Sequence, residues 1–242
     1  MKLFFGRIWA FWGLILFGGS LLALLPLVLL TRYMSEPRKS IYFYHISRLW
    51  MRIYLYGTLC PLKVEGKQHF AKGTTYIVTS NHNSFLDVPI TSPFIPGTNK
   101  TIGKIEFLKI PIFNFFYERG GVLVDRKSET SRRKSYEDMK KVLALNLHMC
   151  IYPEGTRNKT TEPLQPFKDG AFKLAIDTNT AIIPCLIFNT AKAMPIHPSF
   201  CLLPTRLQMH FLPPITPMGE TVQTLREKTH SIMSSYYLQH KP

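Results

Sequence analysis

The sequence of 242 residues lacks the features that bind metals or form disulfide frameworks. Its cysteines are far apart, none belongs to a C-x-x-C pair and none has a histidine at ligand spacing, and its eight histidines are dispersed as well. Structural zinc sites and small disulfide-rich domains both need clustered cysteines. The sequence therefore predicts no metal site, no disulfide framework and a reducing compartment. The four cysteines are Cys60, Cys150, Cys185 and Cys201.

Acidic residues are also scarce. The chain has 15 Asp and Glu against 30 Lys and Arg, a formal net charge of +15, while 45% of its residues are hydrophobic and its mean hydropathy is zero. This excess of positive charge indicates a polyanionic partner, either nucleic acid or the anionic surface of a membrane. The length suits one large domain, alone or with an appendage.

Charged residues are absent from residues 8–30, a run of 23 residues near the N-terminus. Roughly 20 apolar residues suffice to cross the hydrocarbon core of a bilayer. A secretory signal peptide fits less well, because the run is too long and no A-x-A-like cleavage site follows it. No nucleic-acid-binding motif is visible, so the run favours a membrane as the polyanion. Basic residues flank the run on both sides, which leaves open whether it spans the bilayer or enters one leaflet.

A second segment, residues 40–59, is rich in aromatic residues and places Arg48 and Arg52 four positions apart, on one face of a helix. Each arginine would cost about 2.5–3.5 kcal/mol at the centre of a bilayer. We therefore expect an interfacial helix, with Trp and Tyr at the level of the lipid head groups and the arginines facing lipid phosphates. Residues 1–59 are accordingly predicted to form membrane-anchoring helices, and residues 60–242 a globular domain.

From about residue 60 onward, the sequence alternates between strand and helix patterns. The predicted strands are LKVEG, TTYIVTS, KTIGK, GGVLVDR, HMCIYPEG, AIIPCLIFN and RLQMHFLP. Predicted helices lie around residues 84–92, 105–117, 131–147, 168–178 and 220–237. This alternation predicts an α/β fold with a mixed, largely parallel sheet flanked by helices.

Polar residues gather at or just beyond the ends of predicted strands. The four stretches are NHNSFLD (81–87), GGVLVDR (120–126), YPEGTRN (152–158) and PFKDGAF (166–172). Groups at the carboxyl ends of neighbouring parallel strands converge on one crevice of an α/β sheet. The crevice would contain a His–Asp pair, two arginines, a lysine and a glutamate: His82, Asp87, Arg126, Arg157, Lys168 and Glu154.

These residues also have purely structural interpretations. Ser84 followed by Asp87 fits a helix N-cap with an acid at the third helical position. Arg126 is adjacent to Asp125 and suits a surface ion pair, and Gly155 suits a turn. A structural explanation that suffices for one polar stretch is much less expected to hold for all four. The placement of the four stretches at strand ends therefore favours a functional site.

The same stretches resemble the motifs of the glycerolipid acyltransferase family, in the family's order. NHNSFLD matches the N-H-x4-D box, GVLVDR the G-x4-R block, PEGTRN the E-G-T-R block and PFKDGAF the F-K-x-G-A-F block. KIEFLKIP resembles the K-x-E-L-x3-P stretch before the second block, with Phe107 in place of the usual Leu. AIIPCLI resembles the apolar block around Pro184, without its usual second proline. The resemblance covers roughly residues 60–190.

The resemblance implies both a fold and an activity. Its size and its membrane-attached N-terminus make the chain similar to the bacterial 1-acyl-glycerol-3-phosphate acyltransferases of this family. The implied reaction moves a fatty acyl group from acyl-CoA or acyl carrier protein to the sn-2 hydroxyl of lysophosphatidic acid, making phosphatidic acid for phospholipid biosynthesis. The implied partners are a phospholipid bilayer, lysophosphatidic acid and the acyl donor, with no cofactor and no nucleic acid. The implied location is the cytoplasmic face of a bacterial inner membrane.

A dyad of His82 and Asp87 suits this chemistry. A hydroxyl is a poor nucleophile at neutral pH, and histidine is the side chain best suited to take its proton there. Asp87 is expected to accept the other ring N–H and to stabilise the imidazolium. No G-x-S-x-G nucleophile elbow is present after the N-terminal segment, so we expect direct attack by the acceptor hydroxyl, without an acyl-enzyme.

The phosphate of the acceptor requires cations. Arg126 and Arg157 are expected to bind it, because guanidinium forks match phosphate oxygens. Lys104 and Lys168 are expected to support them.

The remaining residues of the E-G-T-R block are assigned to substrate binding as well. These are Glu154, Gly155 and Thr156. A carboxylate repels phosphate, so Glu154 is expected to orient a basic residue or to bind the glycerol backbone.

Alternative functions remain open at this point. A membrane esterase or phospholipase would share the His–Asp pair, and it would need a nucleophile beside His82, such as Ser80, Ser84 or a positioned water. Within the family, the acceptor is open among lysophosphatidic acid, glycerol-3-phosphate, a lyso-ornithine lipid and other lysophospholipids. The sequence does not distinguish acyl-CoA from acyl carrier protein as the donor.

Overall fold

The computed structural model describes residues 2–241, and one seven-stranded sheet lies at its centre. The strands are β1 (Leu62–Glu65), β2 (Ile77–Ser80), β3 (Asn99–Lys104), β4 (Gly121–Val124), β5 (His148–Ile151), β6 (Ile182–Phe188) and β7 (Leu207–Phe211). They lie in the order β1-β7-β6-β2-β5-β3-β4. Every neighbouring pair is parallel except β6 with β7. The predicted α/β fold with a mixed, largely parallel sheet is therefore confirmed, and each predicted strand is present.

The central strands are buried along their whole length because both faces of the sheet are covered. Every residue of β2, β5 and β6 is buried. Parallel strands covered on both faces show this pattern in place of polar–apolar alternation. Successive side chains point to opposite faces. Thus Val78 belongs to one hydrophobic cluster and its neighbour Ile77 to the other.

Helices cover both faces of the sheet. They are α1 (Lys2–Leu30), α2 (Arg38–Gly57), α3 (Asp87–Phe94), α4 (Phe113–Gly120), α5 (Glu129–Ala144), α6 (Gly170–Asp177), α7 (Thr190–Ala193) and α8 (Val222–His240). Side chains of α1 to α4 join the cluster around Val78, and those of α5, α6 and α8 join the cluster around Ile77. The helices predicted around residues 131–147, 168–178 and 220–237 are confirmed.

The helix predicted around residues 105–117 is interrupted. A short 3-10 helix covers Ile105–Lys109, and α4 begins only at Phe113. Pro111 has no N–H to donate, and Ile112 adopts a φ of +67°, so the backbone turns between the two helices. The sequence did not predict α7, a single turn of four residues.

Helix α1 is long and apolar, and within residues 2–241 it belongs to the one helical stretch, Lys2–Tyr33, that by length and composition suits a membrane crossing. Much of its surface is exposed and apolar, for example at Phe4 and Phe11. Its other side packs on α2, where the Trp50 indole donates to the Ser20 hydroxyl at 3.0 Å.

Helix α2 departs from the prediction of an interfacial helix with its aromatic rings at head-group level. Phe43, Tyr44, Trp50 and Tyr54 are buried in the core, because α1 covers one side of α2 and the domain covers another. Tyr42 and Tyr56 stay exposed. The division into an anchoring segment, 1–59, and a catalytic domain, 60–242, stays a prediction.

Candidate active site

The loop after β2 brings His82 and Asp87 into contact. The ring Nδ1 of His82 lies 2.8 Å from Asp87 Oδ2. The same oxygen accepts the backbone N–H groups of Asn83, at 2.6 Å, and Ser84, at 2.7 Å. Three donors on one buried oxygen fix the carboxylate in place. A carboxylate at Nδ1 favours the tautomer with its proton there, which leaves Nε2 free to accept a proton.

The interpretation of Ser84 as a helix N-cap is wrong. Helix α3 begins at Asp87, and no side chain caps it. The Ser84 hydroxyl instead donates to the Met194 carbonyl at 2.8 Å and accepts the Leu86 N–H at 3.2 Å. The Asp87 carboxylate accepts the N–H groups of Asn83 and Ser84 just before the helix. Asp87 can therefore lie in the first turn of α3 and contact His82 at the same time.

Residues of the loop after β5 hold His82 from the opposite side. The Tyr152 ring lies 4.6 Å from the imidazole, centroid to centroid, and its hydroxyl donates to Thr91 at 3.0 Å. The His82 N–H donates to Glu154 Oε1 at 2.8 Å, and the His82 carbonyl accepts the Asn158 N–H at 2.6 Å. A tilted contact with the Tyr152 ring and two backbone hydrogen bonds therefore set the position of His82.

Glu154 binds backbone groups of two loops, and its assignment to substrate binding stays a prediction. Its Oε1 accepts the His82 N–H, and its Oε2 accepts the Gln165 N–H at 2.9 Å. The residue is only 3% exposed, and burial raises the pKa of its carboxyl to about 7, although the two hydrogen bonds favour the ionised form. Both oxygens thus accept backbone N–H groups, and within residues 2–241 Glu154 forms no ion pair with a basic side chain. It joins the two loops that carry the site.

Arg126, Gly155 and Lys168 meet at one place, as their strand-end positions predicted. The Arg126 Nη1 donates to the Gly155 carbonyl. Gly155 has a φ of +74°, in the left-handed region that favours glycine, and a Cβ there would lie 2.9 Å from Lys168 Cε. The suggested ion pair of Arg126 with Asp125 does not form among the described residues, where the Asp125 side chain accepts the Lys127 N–H.

Arg157 stacks on Phe85, a residue of the loop that carries His82. The guanidinium carbon lies 3.5 Å from the ring centroid. Within residues 2–241 its buried Nη1 has no hydrogen-bond acceptor. If Arg157 had a structural role in place of ligand binding, it would be expected to form an ion pair with Glu154 or Asp169. Neither ion pair is present among the described residues. Glu154 holds backbone N–H groups, and Asp169 pairs with Arg226 at 2.6 Å. The guanidinium is thus held by a ring and keeps a donor for a ligand.

Lys104 and Thr156 lie at the periphery. Lys104 is exposed at the end of β3. Thr156 is exposed, and its hydroxyl donates to the Gln165 side chain at 3.3 Å. In the described part of the chain neither side chain hydrogen-bonds His82 or Asp87.

The two serines near His82 are engaged elsewhere. The Ser80 hydroxyl is buried and donates to the Asn81 carbonyl at 3.3 Å, and the Ser84 hydroxyl donates to Met194. Among the described hydrogen bonds, none joins the His82 Nε2 to a protein group.

The thiols of Cys150 and Cys185 are buried, which raises the pKa of each well above the usual range for thiols. Residues 2–241 contain no cluster of His, Cys, Asp and Glu that could hold a metal ion.

Several residues around the site were not assigned a role from the sequence. Asn81 joins β2 to β6, because its amide donates to the Ile187 carbonyl at 3.0 Å and accepts the Ile187 N–H at 2.7 Å. Phe85 and Tyr152 contact Arg157 and His82. The only sequence signal was that these residues lie inside the polar stretches, since their partners are distant in sequence.

The chain is similar to known proteins in sequence and in fold. The sequence model of the family described as acyltransferase matches residues 61–188, more than half of the chain. A chloroplastic 1-acyl-sn-glycerol-3-phosphate acyltransferase, LPAT1 of Arabidopsis thaliana, is 30% identical over 172 residues, covering 70% of this chain and 46% of the relative. The alpha form of 1-acyl-sn-glycerol-3-phosphate acyltransferase from Homo sapiens is 29% identical over 189 residues, covering 76% of this chain and 65% of the relative.

The chain thus spans about half to two thirds of the length of these curated relatives. Among solved structures, the 1-acyl-sn-glycerophosphate acyltransferase PlsC from Thermotoga maritima superposes with a TM-score of 0.83. Its sequence is 20% identical, and the match covers 100% of this chain and 99% of that one, so the two share a fold. Together with the family match over residues 61–188, these findings show that the chain belongs to the acyltransferase family.

Proposed function

We propose that the protein is a 1-acyl-glycerol-3-phosphate acyltransferase that moves a fatty acyl group from a thioester to the sn-2 hydroxyl of lysophosphatidic acid. The relatives described above carry this name, which supports the proposal. The observation that carries it is the pairing of a buried carboxylate with His82 Nδ1, beside an arginine whose Nη1 has no acceptor among residues 2–241. A proton acceptor and an anion site side by side suit an acceptor that has both a hydroxyl and a phosphate.

In the proposed mechanism, His82 is the general base. Its Nε2 takes the proton of the acceptor hydroxyl while the hydroxyl oxygen attacks the thioester carbonyl carbon. The resulting oxyanion collapses, the C–S bond breaks, and the thiolate takes the proton back from the imidazolium. Asp87, 2.8 Å from Nδ1, stabilises the imidazolium between the two proton transfers. A positioned base contributes about 10²–10⁴-fold in rate.

The phosphate of the acceptor is assigned to Arg157, with Arg126 and Lys168 nearby. A charged hydrogen bond contributes roughly 1.5–3 kcal/mol. The stack on Phe85 restricts the Arg157 guanidinium, and the unpartnered Nη1 supports a ligand at that point. Arg126 uses one of its N–H groups on Gly155 and keeps the others for phosphate.

Direct transfer without an acyl-enzyme is the second part of the proposal. An esterase or an acyl-enzyme mechanism would need a nucleophile at Nε2. The hydroxyls of Ser80 and Ser84 are hydrogen-bonded to backbone carbonyls, which disfavours both.

We further propose that the protein works at a membrane. The exposed apolar side of α1 supports this, because a contiguous exposed apolar surface is typical of a site that contacts a membrane or another protein. The donor is then acyl-CoA or acyl carrier protein, and the location is the cytoplasmic face of a bacterial inner membrane. The four cysteines are free, which fits a reducing compartment.

The test compares acceptors. Purified protein in detergent is incubated with a labelled acyl thioester and, separately, lysophosphatidic acid, glycerol-3-phosphate, a lyso-ornithine lipid or lysophosphatidylethanolamine. The proposal predicts phosphatidic acid as the main product, formed with the highest kcat/KM from lysophosphatidic acid. Hydrolysis of the thioester or of the acceptor, without transfer, would support an esterase. A higher kcat/KM with another acceptor would replace the assigned substrate.

A further inference from the structure

A groove with positively charged walls lies apart from the His82 site, between α2 and the segment that leads into β1. It consists of two adjoining cavities of about 190 and 350 Å³, which share Leu55, Tyr56 and Pro61 as wall residues. Four cations line it: Arg48, Arg52, Lys67 and Arg206. We call these four residues and the two cavities between them the basic groove. None of the residues assigned to acyl transfer lines it.

The charge of the basic groove is uncompensated. No carboxylate lines either cavity, and in the described part of the chain none of the four cations forms an ion pair. Like charges held together repel, and walls of low dielectric strengthen the field between them. An anion in the groove would therefore be bound by several cations at once.

Arg48 is held in a fixed position within the groove. Its Nη1 donates to the Tyr44 hydroxyl at 2.8 Å, and its guanidinium lies 5.9 Å from the Phe94 ring centroid. Its Nε is buried and has no acceptor among residues 2–241. A guanidinium that is held this way and keeps free N–H groups matches phosphate oxygens.

The end of α2 that lines the groove is attached to α1. The carbonyl groups at the end of α2 would carry partial negative charge. However, the Gly57 carbonyl accepts the Trp12 indole N–H at 2.9 Å, and the Thr58 carbonyl accepts that of Trp9 at 3.0 Å. These bonds satisfy the helix end and attach it to α1. At the rim, Tyr56 is 75% exposed. Leu59, which also lines the groove, is 58% exposed, so exposed apolar side chains lie beside the cations.

We propose that the basic groove binds the head-group phosphate of an anionic membrane phospholipid, whose acyl chains lie along the exposed side of α1. The ligand is a lipid that stays bound beside the enzyme, so this goes beyond the proposed acyl transfer. Charge complementarity and the adjoining apolar surface favour a lipid over the two other anions that meet such an enzyme. Those are the nucleotide of a coenzyme A donor and the acidic surface of a carrier protein, neither of which needs an apolar neighbour.

The experiment counts lipids on the full-length protein in neutral detergent by native mass spectrometry, with phosphatidylglycerol or phosphatidylcholine added. The groove variant is Arg52→Gln, Lys67→Gln and Arg206→Gln, all exposed residues. The control variant removes the same charge from α5 and α6 on the other face of the sheet. It carries Lys134→Gln, Lys141→Gln and Lys173→Gln. Arg48→Lys keeps the charge but removes the guanidinium fork.

The proposal predicts one phosphatidylglycerol bound in preference to phosphatidylcholine by the wild type and the control. A cation near an anionic lipid surface contributes about fivefold in affinity, so the groove variant should bind at least tenfold more weakly. Arg48→Lys should bind severalfold more weakly, although its charge is unchanged. Acyl transfer to a short-chain acceptor in detergent should be unaffected in the groove variant, which separates this site from the proposed reaction.

Three results would overturn the proposal. The first is equal binding of the two lipids by the wild type, and the second is an equal loss in the groove and control variants. The third is unchanged lipid binding in the groove variant with a raised KM for the acyl donor, which would assign the groove to coenzyme A or a carrier protein. Thermal unfolding of each variant checks the fold, and Arg48→Lys decides the question if the triple variant is unstable.

Discussion

Replacing Phe85 by leucine should weaken the binding of a phosphorylated acceptor without slowing the chemistry. The ring is 58% exposed, and the Arg157 guanidinium carbon lies 3.5 Å from its centroid. A cation–π contact at an exposed site contributes about 0.5–1 kcal/mol. Losing it releases the guanidinium from its position and should raise the KM for lysophosphatidic acid about 2–5-fold. Since the ring touches neither His82 nor Asp87 in the described contacts, kcat should stay within about twofold.

The assay measures kcat and KM with lysophosphatidic acid and with monoacylglycerol, which has the same chain but no phosphate. Phe85→Tyr and Phe85→Trp keep an aromatic face and serve as controls, so their KM should match that of the wild type. Arg157→Lys removes the fork and should raise the same KM. In the double variant with Phe85→Leu, the two effects should be less than additive, because both act on one interaction.

An unchanged KM in Phe85→Leu would refute the positioning role, provided that Arg157→Lys raises the KM. If Arg157→Lys itself leaves both acceptors unaffected, the assignment of Arg157 to the phosphate is at fault. Equal losses with both acceptors would mean that Phe85 supports the structure of the loop. Phe85 is exposed, so the free energy of unfolding should change by no more than about 0.5 kcal/mol.

Three further predictions concern the dyad, the buried glutamate and the membrane surface. Asp87→Asn should lower kcat by about 10²-fold or more with the fold intact, and a lower Tm with normal kcat would make Asp87 a structural residue. Burial raises the Glu154 pKa from 4.5 to about 7, so its contribution to stability is full below pH 4.5 and is lost as the pH rises to about 7. Chemical denaturation should show that the free energy of unfolding of the wild type falls by up to about 3 kcal/mol over this pH range, and that of Glu154→Gln should not. An identical pH dependence of the two proteins would contradict the prediction. Replacing Phe4 and Phe11 by serine should weaken binding to vesicles at least tenfold, from roughly 1.5–3 kcal/mol per buried side chain. The control Met218→Ser, at an exposed position outside α1, should leave binding to vesicles unchanged. Equal weakening by the two changes would argue against α1 as the membrane surface.

The sequence predicted the features that depend on local pattern. β2, β5 and β6 are mostly apolar and do not alternate with polar residues because both faces of the sheet are covered, and this pattern is recognisable without a structure. The contact of His82 with Asp87 was also predictable, since the two residues lie five positions apart in one loop. Groups at the ends of parallel strands converge, which is why Arg126 was expected near Gly155.

Features that depend on distant partners were not predictable. Glu154 accepts the N–H of His82, 72 residues away, and the stack of Arg157 on Phe85 spans as far. No local periodicity encodes either contact. The aromatic residues of α2 suggested a membrane interface, and only the packing of α1 beside them explains why Trp50 is buried. Composition alone does not distinguish these two environments for an aromatic side chain.

The central claim is that His82 is the general base of acyl transfer. The most direct test is the kcat of purified His82→Ala with lysophosphatidic acid and a labelled acyl thioester, beside a measurement of its Tm. The account predicts a fall of about 10²–10⁴-fold in kcat with a folded protein, because only the proton acceptor is lost. A folded His82→Ala variant that retains a kcat within a few-fold of the wild type would contradict it.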